Sequence, residues 1–194
     1  MKRIIGLTGG IATGKTTVAN YLADAYGLPI LDADIYAREA VAVNSSLLQQ
    51  IVKRYGDKIL LADGSLNREK LAEIIFSQQQ ERLWIDSLIH PYVGDRLSVE
   101  TKNISAKTLV LVVPLLFEAD MTDLVTEIWV VSCSEQQQLE RLMQRNQLTL
   151  EQAQARISSQ MPLSEKIHKA NIVLDNSSSL ETLLQQIDIA IFHQ

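Results

Sequence analysis

The eight residues Gly9-Gly10-Ile11-Ala12-Thr13-Gly14-Lys15-Thr16 satisfy every fixed position of the phosphate-loop pattern G-x-x-x-x-G-K-[ST]. Glycines let successive backbone N–H groups turn inward around an anion. The positive end of a following helix adds to that field. In such a loop Lys15 lies along the β- and γ-phosphates and the Thr16 hydroxyl helps to hold Mg²⁺. A second group of reactive side chains follows in "LPILDADIYAREA", where Asp32 and Asp34 close an apolar run. Small phosphate-loop kinases use an acidic residue at this place to orient the acceptor hydroxyl and take its proton. A third group is Arg141 and Arg145, four apart and so on one helix face, where arginines of a lid would neutralise migrating charge. Each group also has a plainer reading. Asp34 would serve as an N-cap, and Arg141 and Arg145 as surface partners of Glu140 and its neighbours. His90, in "LIHPYV", reads by itself as a packed or capping histidine.

These groups need elements to hold them. Apolar runs predict strands at Arg3–Thr8, Pro29–Asp32, Thr108–Pro114, Glu127–Cys133 and Ile172–Asp175. Near-continuous apolar strands alternating with helical stretches imply a parallel sheet covered on both faces, a three-layer α/β fold. Helical spacing over Val18–Tyr26 follows the loop, so the motif sits between strand and helix, as a phosphate loop must. The predicted core is 1–33, 108–133 and 171–194. A helical insertion over 34–107, broken near Gly56–Gly64, is expected at the sheet's carboxyl edge. A polar helical lid is expected over 134–170, its helices opened by Ser134 with Gln137 and by Thr149 with Gln152. The triplets Gln78–Gln80 and Gln136–Gln138 read as solvated faces.

Composition narrows the classes. A net charge of −5 argues against a nucleic-acid-binding surface, while leaving room for a local anion site. No apolar run reaches membrane-spanning length, and the chain enters an apolar strand at once, so neither membrane anchor nor signal peptide is expected. Cys133 is the one cysteine and reads as a buried small hydrophobe. A cytoplasmic protein follows as the expectation, with no obligate protein partner evident. No base-reading N/T-K-x-D motif of a GTPase is present, and the third strand ends "VVPLLFEAD" rather than in a motor-type aspartate.

Taken in order, "LTGGIATGKTTVA", "DADIYAREAV", "IHPYV", "VVPLLFE", "ERLMQRNQLTLEQAQARISSQM" and "KANIVLDN" resemble the dephospho-coenzyme A kinase family over nearly the whole chain. The phosphate loop alone is generic; the ordered set is specific. The resemblance implies transfer of the γ-phosphoryl of ATP, with Mg²⁺, to the ribose 3′-hydroxyl of dephospho-CoA. It implies Asp34, Lys15 and Arg141 as the catalytic set. It implies ATP binding by Gly9, Ala12, Thr13, Gly14, Lys15, Thr16 and Thr17, with Arg145 and Asn176. Substrate would be bound by Asp32, Asp34, Arg38 and His90, and the metal by Thr16 and, through water, Asp32. The chain departs from the family pattern at Ala12, where glycine is usual and a negative φ is expected to accommodate the methyl. Gly94 stands where an arginine is common, Asn171 where aspartate is usual and Ser177 where glycine is usual. A nucleoside monophosphate or sugar-acid kinase, and a non-catalytic nucleotide-binding regulator, are the alternatives; the joint presence of "DAD", "IHP" and "PLLFE" stands against them.

Overall fold

The computed structural model describes residues Lys2–Phe192. In chain order its elements are β1 (Arg3–Gly9), α1 (Lys15–Tyr26), β2 (Ile30–Asp32), α2 (Ala33–Ala40), α3 (Ser46–Tyr55), α4 (Arg68–Ser77), α5 (Gln79–Asn103) and β3 (Thr108–Val112). Then come β4 (Glu127–Ser132), α6 (Glu135–Asn146), α7 (Leu150–Ser158), α8 (Leu163–His168), β5 (Ile172–Asp175) and α9 (Leu180–Phe192). They form two compact units: one made of the chain up to Asp32 and from Glu100 onward, the other of Ala33–Val99. No helix among the described residues is long and apolar enough to cross a membrane.

The larger unit holds the five-stranded sheet, ordered β2-β3-β1-β4-β5 with every pairing parallel. Alternate side chains of a strand face opposite sides. Ile5 and Leu7 of β1, Val110 and Val112 of β3, and Trp129 and Val131 of β4 therefore make one apolar face. It is covered by Val18, Ala19 and Leu22 of α1 and by Leu183, Ile187 and Ala190 of α9. On the other face Gly6 leaves room for Leu116 and Val125; a Cβ there would lie 2.9 Å from a Val125 methyl. Covering on both faces explains why the strands read as unbroken apolar runs. Asp188 of α9 accepts from Tyr21 and Tyr26 of α1 at 2.7 and 2.6 Å, which fastens the two covering helices together. With β3 on one side of β1 and β4 on the other, the chain reverses its winding at β1. The carboxyl end of β1 is thus the switch point where α/β sheets take ligands.

Strand ends differ from the sequence expectation by a residue or two: β2 begins at Ile30, β3 stops at Val112 and β4 at Ser132. The rest of "VVPLLFE" is turn, because Pro114 has no N–H to extend a parallel ladder. Cys133 is buried just beyond β4, as expected of it.

The smaller unit is helical, with a core of Ala40, Val41, Leu48, Ile51, Ile59, Leu66, Leu71 and Ile85. Side-chain caps start its helices: Ser45 Oγ accepts from Leu48 N at 3.1 Å and Asn67 Oδ1 from Lys70 N at 3.0 Å. The expected break near Gly56–Gly64 is a short 3₁₀ turn at Asp57–Ile59 followed by an antiparallel bridge between Leu60 and Leu66. Glu81 ties α5 to α3. It takes both Nε and Nη2 of Arg54, at 2.7 and 2.8 Å, and the Tyr55 hydroxyl, while the Arg54 guanidinium lies 4.4 Å from the Trp84 ring centre. Those donors pull the Glu81 carboxyl from its ordinary 4.5 down to about 2. A depressed carboxyl stabilises the fold fully above its unfolded pKa and loses that effect as pH falls through the folded value. Wild type should therefore melt above Glu81→Gln at pH 6, and the gap should close between pH 4.5 and 2. Thermal melts of both proteins across that range test it; a gap that stays constant would show that the carboxylate's charge contributes nothing.

Candidate active site

The phosphate loop leaves β1 through Gly9, whose φ of 147° and would-be Cβ contact of 2.4 Å with the Val131 carbonyl admit no side chain. It enters α1 through Gly14, at φ 106°, where a Cβ would lie 2.2 Å from Asn176 Nδ2. Between them the buried Thr13 Oγ1 donates to the Gly10 carbonyl at 3.0 Å. Lys15, the first residue of α1, folds back over the loop and donates Nζ to Gly10 O at 2.7 Å and Gly9 O at 3.1 Å. Thr16 and Thr17 are exposed in the helix's first turn. The result is a glycine-walled cradle with an ammonium across it and a helix N-terminus behind it, which suits a polyphosphate.

Ala12 departs from expectation. It adopts φ 61°, not a negative angle. A residue with a Cβ is disfavoured there by about 1–2 kcal/mol relative to a right-handed conformation. The preceding residue, Ile11, is held through both its N–H and its carbonyl. Gln138 Nε2 donates to Ile11 O at 2.8 Å, and Ile11 N donates to Gln160 Oε1 at 3.0 Å. Gln138 is buried, so the solvated face expected of Gln136–Gln138 is wrong at its last member; Gln136 alone of the three is fully exposed.

The arginine-bearing segment meets the loop through α6. Both expected helix starts are capping boxes, Ser134 with Gln137 and Thr149 with Gln152. Arg141 Nη2 donates to Asn176 O at 3.0 Å, and Asn176 Nδ2 donates to Thr13 O at 2.8 Å. Arg141, Asn176 and the loop are thus joined in series. Cys133 lies in the same neighbourhood: burial pushes its thiol up, Asp175 adds to the rise, and Arg141 and Lys15 oppose it. Arg145, one turn further along α6, is exposed and donates Nε to Asn146. The structure does not bring it to the loop in the way it brings Arg141.

"VVPLLFE" and the end of the arginine segment are also joined. Lys166 of α8 is fully buried and donates Nζ to Pro114 O and to Glu118 Oε1, each at 2.9 Å. The same Glu118 oxygen accepts Met161 N at 2.9 Å, and Thr8 Oγ1 donates to Pro114 O at 3.2 Å. A buried cation needs such partners, since removing one strands the other. Of the family departures, Asn171 keeps an acceptor role, Oδ1 receiving Ile128 N at 2.7 Å beside β4. Ser177 N donates to Asp175 Oδ1, and Ser177 O accepts from Gln137.

Asp32 ends β2, paired with Val112. The helix after it starts at Ala33, two residues before Ile35, so Asp34 lies inside the first turn of α2 rather than capping it. A carboxylate is favoured at that position by the helix dipole. Within the smaller unit Asp34 and Arg38 are exposed and share one face of α2, while Ala33, Tyr36 and Ala40 are buried on the other. His90 sits inside α5 ahead of Pro91, with Nε2 3.6 Å from Asp86. Arg68, at the start of α4, was not legible as a site residue. Burial lowers its pKa, and the charge of Arg38 lowers it further. The expected glycine-for-arginine gap at Gly94 is flanked by Arg96, whose guanidinium lies over the Tyr36 ring and 3.7 Å from Glu39.

Gln138, Gln160, Lys166 and Arg68 are what sequence reasoning passed over. The available signals were slight: a glutamine near the start of a capped helix, and a lysine in the polar run Ser164–Lys169.

With this loop at the carboxyl end of the central strand, and an arginine helix bound to it, fold and site together define a small P-loop kinase. Comparison with known proteins narrows the class. The sequence profile of the dephospho-CoA kinases matches residues 3–182, and the chain belongs to that family. The dephospho-CoA kinase of Trichormus variabilis is 67% identical over 190 residues, covering 98% of this chain and 97% of that one. A solved structure from Thermus thermophilus superposes with a TM-score of 0.80 at 32% identity, covering 100% and 99% of the two chains. Dephospho-CoA kinase from Campylobacter jejuni superposes with a TM-score of 0.68 at 27% identity, covering 98% and 96%.

Proposed function

We infer that this chain phosphorylates dephospho-CoA with ATP, giving coenzyme A and ADP, and that the acceptor is the ribose 3′-hydroxyl. Family membership along the whole chain carries this reading, and the glycine cradle with Lys15 across it supports the ATP half. Lys15 follows the γ-phosphoryl, and Gly9, Ala12, Thr13, Gly14, Thr16 and Thr17 surround the phosphates. The residues fit a magnesium triphosphate: the Thr16 hydroxyl is exposed on the first turn of α1, and Asp32 is a carboxylate at a strand's carboxyl end. Thr16 would hold the ion directly and Asp32 through water; the ion supplies charge neutralisation on the β- and γ-phosphates. Asp34 orients the acceptor hydroxyl and receives its proton. Arg38, with His90 and Arg68, binds the coenzyme A side, where cations whose charges act on one another suit an anionic partner. Arg141 stabilises the transferring group, Arg145 assists when the segment closes, and Asn176 serves the adenine side. The helical unit over Ala33–Val99 is the acceptor-binding part and the segment 134–170 the lid. The setting is the cytoplasm, where ATP is supplied.

The test is ADP release from Mg-ATP with dephospho-CoA, AMP, gluconate or water alone, with ³¹P spectroscopy locating the new phosphate. Rapid release with dephospho-CoA only is expected; release in water alone, or faster with AMP, would sink the assignment.

Arg141 gives a sharper check. Its guanidinium hydrogen-bonds Asn176 O and the Cys133 thiol. Losing each such bond costs about 1 kcal/mol of stability. Losing a donor aimed at the transition state costs on the order of 10²-fold in rate. Arg141→Ala should thus keep its circular dichroism and nearly its melting temperature while kcat collapses. Unchanged turnover would move the role to Arg145.

A further inference from the structure

We propose that Gln138 and Gln160 are positioning residues, which hold the two peptide groups flanking Ile11 in the phosphate loop and so let the two ends of the arginine-bearing segment set the loop's shape. The proposal rests on the ATP half of the reading above. Gln138 stands near the start of α6 and Gln160 just past α7, so they bracket the stretch that carries Arg141, Arg145 and Arg156. Both reach one peptide-bearing residue: Gln138 donates to its carbonyl at 2.8 Å, and Gln160 accepts from its N–H at 3.0 Å. Gly10 makes the approach possible, since a Cβ there would lie 2.5 Å from Gln138 Nε2. The Ile11 carbonyl belongs to the peptide that leads into Ala12, the one loop residue with a Cβ held at positive φ. Fixing that peptide fixes the direction of the following N–H groups, which must point inward to receive phosphate.

The two glutamines divide the work. The amide nitrogen of Gln138 gives to a carbonyl and the amide oxygen of Gln160 receives an N–H, and neither brings a charge to the loop. Both side chains line a cavity of about 510 Å³, together with Ile157, Pro162 and Leu163, so an unbranched apolar side chain can be accommodated at either position.

The experiment uses the full chain as Gln138→Met and Gln160→Met, each in the native background and in Ala12→Gly. ATP affinity is read by calorimetry without acceptor, and KM for both substrates by ADP release. An unsatisfied loop carbonyl and a freed Ala12 should weaken ATP binding about tenfold in Gln138→Met and several-fold in Gln160→Met, leaving KM for dephospho-CoA within about twofold. Glycine adopts positive φ without the methyl's cost. Measured against Ala12→Gly alone, the same substitutions should then cost about threefold or less. Unchanged ATP affinity in either folded variant overturns the proposal. So does an equal loss in both backgrounds, which is the result expected if the glutamines only pack α6 and α7 on the core. Gln160 is the less buried of the two and keeps the test decisive should Gln138→Met not fold. Because ATP binding is read without acceptor, a chain that binds ATP yet leaves dephospho-CoA untouched would overturn the substrate assignment and not this one.

Discussion

Lys15→Ala should lower kcat on the order of 10²–10³-fold while the protein remains folded. The Lys15 ammonium lies across the loop on the carbonyls of Gly9 and Gly10. Those contacts place the charge where a polyphosphate would sit. When phosphate is bound, the same ammonium faces charge that grows as the γ-phosphoryl moves, so its effect is larger in the transition state than in the ground state. Rate should therefore fall more than ATP affinity. Circular dichroism and melting should stay close to wild type, because Lys15 is the first residue of α1 and the buried residues that anchor that helix are Val18, Ala19 and Leu22. Near-normal turnover in a folded Lys15→Ala protein would refute the role.

Asp34→Asn should lower kcat by roughly 10²-fold or more and leave ATP binding nearly intact, the range expected for loss of a general base. Asparagine keeps the shape and one acceptor oxygen and loses the charge. Phosphoryl transfer passes through a loose transition state, so the carboxylate mostly positions the hydroxyl and takes the proton late. The two neighbouring carboxylates stand on different elements. Asp32 is the last residue of β2, in register with Val112, at the carboxyl edge of the sheet that carries the phosphate loop. Asp34 is in the first turn of α2 with its side chain exposed. Asp32→Asn should accordingly weaken the response of the rate to Mg²⁺. Titrating Mg²⁺ and dephospho-CoA separately for the two variants decides the assignment. If Asp34→Asn shifts only the Mg²⁺ curve while Asp32→Asn abolishes transfer with ATP still bound, the roles are exchanged.

The amino-acid sequence by itself determined what depends on neighbours along the chain. The strand–loop–helix around Gly9–Thr16 follows from an apolar run, three glycines and a helical period within a few residues of one another. Ser134 with Gln137 and Thr149 with Gln152 start their helices as capping boxes because a cap is a contact between residues three apart. The three central strands are legible because burial on both faces leaves them apolar, and the edge strands β2 and β5, only partly buried, still carry short apolar runs. Tertiary structure alone decided the rest. The start of α2 moved to Ala33, since Ala33 and Tyr36 find burial that no period within "DADIYAREA" announces. Ala12 took a left-handed conformation against its own preference, beside Ile11, whose carbonyl and N–H are met by Gln138 and Gln160 from 127 and 149 residues away. Lys166 became a buried cation because Glu118 and the Pro114 carbonyl, 52 residues back for the latter, converge on it. Such pairings offset local cost with contacts between segments that only the packed sheet and helices bring together. A polar residue's type says that it needs a partner, and the fold alone says which one.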